Sequence, residues 1–192
     1  SVAKAEALGK EIPGAVLVRQ CDNPAGPKIH RETTAEEIWK DTDGKVAALV
    51  AGSGTGGTIT GTGRRLKELN PDIKVYAVQP AASPLLTGGQ AAGHPIAGIG
   101  PNFIPSILDT TVYDEVISIE NSDAFAWSRR TGAEEGILAG ISSGAAVKAA
   151  VEVAHKPEFA GKIVVVIIPS FGERYLSTTL YRDIQEEFNP TT

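Results

Sequence analysis

One stretch constrains this chain more than any other: Val50-Ala51-Gly52-Ser53-Gly54-Thr55-Gly56-Gly57-Thr58-Ile59-Thr60-Gly61. An apolar run from Lys45 to Ala51 enters it and reads as a buried strand. A helix-like segment from about Gly57 to Leu69 leaves it. A strand that is apolar on both faces needs cover on both faces, which is the situation of a parallel sheet between helix layers. The rest of the chain repeats the alternation. Residues 73–78, 113–119 and 161–168 read as strands, the last the most apolar. Helices are expected at residues 1–12, from Thr34 through Trp39, from Asn121 to about Glu135, and from Ser143 to His155. Thr34 with Glu37 forms a capping-box pattern, and Asn121 is a cap candidate. Residues 14–20 read as a short buried strand, and Asn23-Pro24-Ala25-Gly26-Pro27 as a break and linker. Residues 80–111 are rich in Gly and Pro and read as irregular loops. The fold class is α/β, a three-layer sandwich with a mostly parallel central sheet.

The turn is also a chemical feature. Glycines let the backbone close on an anion, Thr55 and Thr58 add hydroxyl donors, and the following helix presents free N–H groups. Gly52-x-Gly54-x-x-Gly57 matches the dinucleotide fingerprint, but the next strand ends Ala77-Val78-Gln79-Pro80, without the acid that a ribose needs. Gly61-Thr62-Gly63 lacks the lysine of a nucleoside-triphosphate loop. A single phosphate monoester is the better ligand.

Gly140-Ile141-Ser142-Ser143-Gly144 has the spacing of a hydrolase nucleophile elbow. The only histidine after it is His155, one helix away, and no acid lies between them in a plausible loop, so a Ser-His-Asp triad is disfavoured. Two readings of these serines remain: a helix N-cap, and a hydroxyl that meets a ring nitrogen. A serine donates to a pyridine nitrogen without protonating it, which makes a weaker electron sink and favours β-elimination and replacement over transamination.

Net charge is −5, which gives no electrostatic case for nucleic acid or an anionic membrane. No apolar run approaches a membrane span. Cys21 is the single cysteine, so no internal disulfide is possible and a reducing cytoplasm is expected. One cysteine with His30, His94 and His155 argues against a structural zinc site.

Across its length the chain resembles the cysteine synthase (O-acetylserine sulfhydrylase) family of fold-type II pyridoxal-phosphate enzymes. The glycine-rich stretch and the Gly140–Gly144 segment carry the resemblance, together with Gln20-x-x-Asn23-Pro24-Ala25-x-Pro27-x-Ile29-His30 and Thr33-Thr34-x-Glu36-Glu37-Ile38-Trp39. Ser83-Pro84-Leu85-Leu86-x-Gly88-Gly89, His94-Pro95-Ile96-x-Gly98-Ile99-Gly100 and Gly172-Glu173-Arg174-Tyr175-Leu176-Ser177-Thr178 add to it.

The resemblance implies pyridoxal 5'-phosphate as cofactor, with Gly54, Thr55, Gly56, Gly57 and Thr58 on its phosphate. Ser142 would face the pyridine nitrogen and Pro169 would pack near the ring edge. Gln20 would lie near the substrate carboxylate, and Gly98 and Gly100 in a mobile loop at the active site. The implied reaction converts O-acetylserine and sulfide to cysteine and acetate. Cystathionine β-synthase and O-phosphoserine-dependent enzymes are the rivals within the family. The implied partners are a second copy, as homodimer, and the C-terminal peptide of serine acetyltransferase. By the same resemblance, residues 1–22 correspond to the last helix and strand of the small mobile domain, and 23–192 to the large cofactor domain.

The family's Schiff-base lysine motif, resembling Ser-x-Lys-Asp/Asn-Arg, does not occur here and would lie upstream of Ser1. No catalytic residue is therefore expected in this chain. Alone the chain would be inactive, and an alternative reading makes it a catalytically incompetent fragment that only binds phosphate or a partner peptide. Cys21 and Pro101-Asn102 depart from the family pattern.

Overall fold

Alternation along the central strand sorts side chains into two cores. In the computed structural model, which describes residues 2–188, β1 (Val46–Gly52) sends Ala48 and Val50 to one face and Leu49 and Ala51 to the other. All four are buried. β2 (Lys74–Pro80) behaves alike, with Tyr76 and Val78 on one side and Val75 and Ala77 on the other. β3 (Glu115–Ile119) and β4 (Ile163–Val166) complete a four-stranded sheet of order β3-β2-β1-β4. Every pairing in it is parallel. The three-layer α/β expectation holds.

The helices numbered in chain order are α1 (Val2–Glu11), α2 (Ala25–Glu32), α3 (Thr34–Asp41) and α4 (Gly57–Leu69). They continue as α5 (Asn121–Glu135), α6 (Ile141–Ala154) and α7 (Arg182–Phe188). Ile59 and Leu66 of α4 pack on the Leu49 face, while Ala145 and Ala149 of α6 pack on the Val50 face. The two helices that flank the candidate site thus cover opposite faces of the sheet. No helix among the described residues is long and apolar enough to cross a membrane.

Several local expectations change. Residues 14–20 form no strand; Val16 and Val18 are 85% and 68% exposed. An apolar run becomes a strand only when a neighbour takes its backbone hydrogen bonds, and no described strand pairs with this one. Asn23–Pro27 is a helix start rather than a linker. The Asn23 side-chain oxygen accepts from Ala25 N–H at 3.0 Å, and Pro24 stands at the N-cap of α2. Pro27 costs nothing there, because first-turn N–H groups have no helical acceptor.

Neither expected side-chain cap forms. Thr33 and Glu120 occupy the N-cap positions of α3 and α5 without a side-chain bond. The α6 helix begins at Ile141, two residues before the expected start, with Gly140 at its N-cap. The 161–168 strand shortens to four residues and is half-exposed, as an outer strand would be.

Candidate active site

The turn after β1 and the loop after β4 meet at one end of the sheet. From β1 the chain crosses to β2 on one side, while β4 lies on the other. The carboxyl ends of β1 and β4 therefore flank the point where strand order reverses, the usual ligand position in open α/β sheets. A cavity of about 450 Å³ opens there. Gly54, Thr55, Gly56, Thr58, Gly98, Ser142 and Pro169 all line it. Those seven expected residues come from four separate stretches of chain.

Local geometry explains the glycines. Gly56 has φ +86° and caps α4 in the left-handed region. A Cβ on Gly54 would overlap the carbonyl oxygen of Gly98, so the turn and the 97–100 loop touch backbone to backbone. Their register is held by Gly100 N–H donating to Ser53 O at 2.9 Å and Ser53 N–H donating to Val78 O at 2.9 Å. Gly98, at φ +96°, lies above Ser142: a Cβ on it would be 3.7 Å from Ser142 Oγ.

Ser142 is buried in the first turn of α6, and its Oγ is 3.3 Å from Ser170 Oγ. Ser143 turns to the same partner. Its Oγ donates to Ser170 O at 3.0 Å and accepts from Ser170 N–H at 3.1 Å. Ser143 thus fastens the start of α6 to the segment after β4, while Ser142 keeps its place on the cavity wall.

Three expected residues do not line the cavity. Gly57 is buried behind the turn, in the first turn of α4, where a Cβ would approach Gly26 of α2. Gly100 lies one step beyond the wall; its carbonyl accepts from His94 Nε2 at 2.9 Å. Gln20 is exposed and lines a different depression with Cys21, Asn102 and Phe103. Its segment runs along the surface because residues 14–20 have no strand to join.

Other residues enter that had no assigned role. Ser170, Phe171, Arg174 and Tyr175 line the cavity, and Arg174 is the only charged residue among the lining residues described. Its guanidinium lies 5.3 Å from the Phe171 ring centroid. Behind the wall, Thr58 Oγ1 is 3.1 Å from His30 Nε2. Burial pushes the His30 imidazole below its ordinary value, toward the neutral form.

The chemical character follows. First-turn residues of α4 and α6, five hydroxyls and one guanidinium line a cavity whose described lining includes no carboxylate. Such a site suits an anion joined to a flat ring: donors at the turn, a hydroxyl at Ser142, and an apolar flank from Pro169 and Phe171.

Comparison with known proteins agrees with this arrangement. A family model described as pyridoxal-phosphate dependent enzyme matches residues 1–170. The cysteine synthase of Haemophilus influenzae is 51% identical over 193 residues, covering 96% of this chain and 61% of that protein. A probable cysteine synthase of Bacillus subtilis is 52% identical over 186 residues, covering 94% of this chain and 59% of that protein. The crystal structure of cysteine synthase (OASS) from Entamoeba histolytica superposes with a TM-score of 0.90 at 43% identity, covering 94% of this chain and 54% of that one. The chain thus spans about three-fifths of the length of these curated relatives.

Proposed function

This chain belongs to the pyridoxal-phosphate dependent enzyme family, and from that premise we propose that it forms the cofactor-binding half of a cysteine synthase. The reaction would join O-acetylserine and sulfide to give cysteine and acetate. The observation that carries the reading is the convergence of the glycine turn and Ser142 on one cavity free of carboxylate, at the strand-order reversal. Residues 23–192 would be the large domain, and residues 1–22 the end of a small one. The whole enzyme would act as a cytoplasmic homodimer, with the C-terminal peptide of serine acetyltransferase as a ligand of its active-site mouth.

Pyridoxal phosphate fits the residues present, because the donor set has an anion-binding end and a ring-nitrogen end. When bound, it supplies the electron sink that lets a leaving group depart from the β-carbon of an amino acid and a nucleophile take its place. Every other contribution comes from the chain. The N–H groups of Gly54, Thr55, Gly56 and Thr58, with the Thr55 and Thr58 hydroxyls, would hold the phosphate, while Gly57 N–H, which donates to Thr55 Oγ1 at 3.3 Å, braces the turn from behind. The end of the α4 dipole adds a favourable charge interaction of about 0.3–1 kcal/mol.

Ser142 Oγ would donate to the ring nitrogen and keep its proton, since an alcohol is far too weak an acid to transfer it. Ser170 Oγ, 3.3 Å away, orients that hydroxyl. Gly98, whose φ of +96° a side chain would strain, would let the loop backbone run beside Ser142 on the cavity wall. Gln20 would reach the substrate only if its segment were drawn to the cavity.

Among the described residues, no lysine lines the cavity. Lys28, Lys67, Lys74, Lys148 and Lys156 are paired with acids elsewhere on the molecule. The proposal is therefore that this chain alone binds the cofactor by its phosphate and carries no turnover. One experiment tests both halves: titration with pyridoxal phosphate, with and without inorganic phosphate, then borohydride reduction and intact mass. Saturable binding that phosphate competes away, with no stoichiometric adduct, is expected. Binding insensitive to phosphate would sink the cradle. One full adduct on this chain would sink the placement of the lysine outside it.

A further inference from the structure

The α2 and α4 helices cross at backbone contact. A Cβ on Gly57 would lie 3.3 Å from the carbonyl carbon of Gly26, and one on Gly61 would overlap the carbonyl oxygen of Pro27. Closure to this distance brings His30 of α2 against Thr58 of α4. Nε2 of the ring is 3.1 Å from Thr58 Oγ1, and Nδ1 is 2.8 Å from Thr34 Oγ1, the first residue of α3. Three side chains from three helices thus form one hydrogen-bonded row. Of the three, Thr58 alone lines the cavity.

We propose that Thr34 and His30 are positioning residues that set the direction of the Thr58 hydroxyl, so that it donates its proton into the cavity toward a phosphate monoester. This rests on the phosphate-cradle reading above.

A threonine hydroxyl has one proton, and a neutral imidazole donates from one nitrogen and accepts at the other. The row can therefore run in two directions. With the proton on Nδ1, the ring donates to Thr34, and Nε2 accepts a hydrogen bond from the Thr58 hydroxyl. Thr58 then shows only lone pairs to the cavity, which repel an anion. With the proton on Nε2, Thr34 donates to Nδ1 and Nε2–H donates to Thr58 Oγ1. The Thr58 proton is then free for a phosphate oxygen, and the bond is charge-assisted.

Thr34 is what makes the second direction available in advance, because its hydroxyl can serve as donor to Nδ1. The same burial that lowers the His30 pKa keeps the ring neutral near pH 7, where this choice of direction exists.

The test uses the wild-type protein and the variants Thr34→Val, Thr34→Ser and Thr58→Val. Affinities for inorganic phosphate and for pyridoxal phosphate come from calorimetric titration. Imidazole two-bond ¹H–¹⁵N spectra report which nitrogen of His30 carries the proton. With phosphate bound, the Nε2–H tautomer is expected in wild type. Thr34→Val, although outside the cavity, should weaken both ligands about tenfold, the scale of one hydrogen bond to a charged group. Thr34→Ser, which restores the hydroxyl, should recover the affinity.

Unchanged affinity in Thr34→Val, or an Nδ1–H ring with phosphate bound, overturns the proposal while leaving the cradle intact. Unchanged affinity in Thr58→Val overturns the cradle and the proposal with it. Should Thr34→Val fail to fold, the tautomer of the wild-type ring decides the question.

Discussion

Asp114 shows how much one side chain can organise. Its carboxylate accepts from Val75 N–H at 2.8 Å at the start of β2, and meets Lys67 Nζ at 2.8 Å and Lys74 Nζ at 3.7 Å. Burial pushes the carboxyl up, but these donors outweigh it and hold it below the usual carboxylate range. A carboxyl depressed on folding stabilises the fold above its unfolded value and loses that contribution as pH falls through its folded value. The unfolded value is about 4, so the loss belongs to the acid side of pH 4. Asp114→Asn should cost about 1 kcal/mol at neutral pH, a modest figure because the group is partly exposed. Melting temperatures of both proteins between pH 7 and pH 2.5 check this; the gap should narrow below pH 4, and a constant gap would refute the assignment. At the same scale, Gly54, Thr55 and Ser142 were legible because their chemistry is carried by residue type within a short spacing. Thr58 was legible in the same way, but its link to His30 was not, since the two stand 28 positions apart. Only the crossing of α2 over α4 joins them.

Helix pairs here depend on missing side chains. Gly61 meets Pro27 of α2, and Gly144 of α6 meets the backbone of Ala124 and Ser128 in α5. Adding one methyl group at either crossing forces two backbones apart. Gly61→Ala should destabilise the fold by about 1–3 kcal/mol, the usual range for overpacking, despite the better helix propensity of alanine. Urea unfolding would measure it. An unchanged midpoint would mean that α2 can shift without loss, and the row from Thr34 to Thr58 would then be loose. The pattern of apolar residues foretold β1 and β2 because both faces of those strands are covered by this same chain. The identical logic misread residues 14–20. Their composition suits a strand, but pairing depends on a neighbour that local sequence does not specify. Helix starts were misplaced for a related reason. Thr34 and Asn121 have cap chemistry, yet Thr34 spends its hydroxyl on His30.

Taken whole, the molecule shows apolar side chains that its own packing does not cover. Val16 and Val18 are mostly exposed, and Leu138, Phe171 and Leu176 are each near half exposed around the segment after β4. Surfaces of this kind in a soluble chain mark contact sites or drive association. Light scattering of the isolated chain should therefore show concentration-dependent association, and Phe171→Ser should reduce both that and binding of an apolar dye. A monodisperse chain that binds no dye would show these side chains to be ordinary surface. The order of the strands has a consequence in time as well as in space. β1 pairs with β2 soon after both are made, but its other edge waits for β4, more than a hundred residues later. A growing chain on the ribosome therefore holds the glycine turn with one wall of the pocket still unsynthesised. The pocket can close only once β4 and the segment after it have been made, and until then that edge of β1 stands without its partner strand.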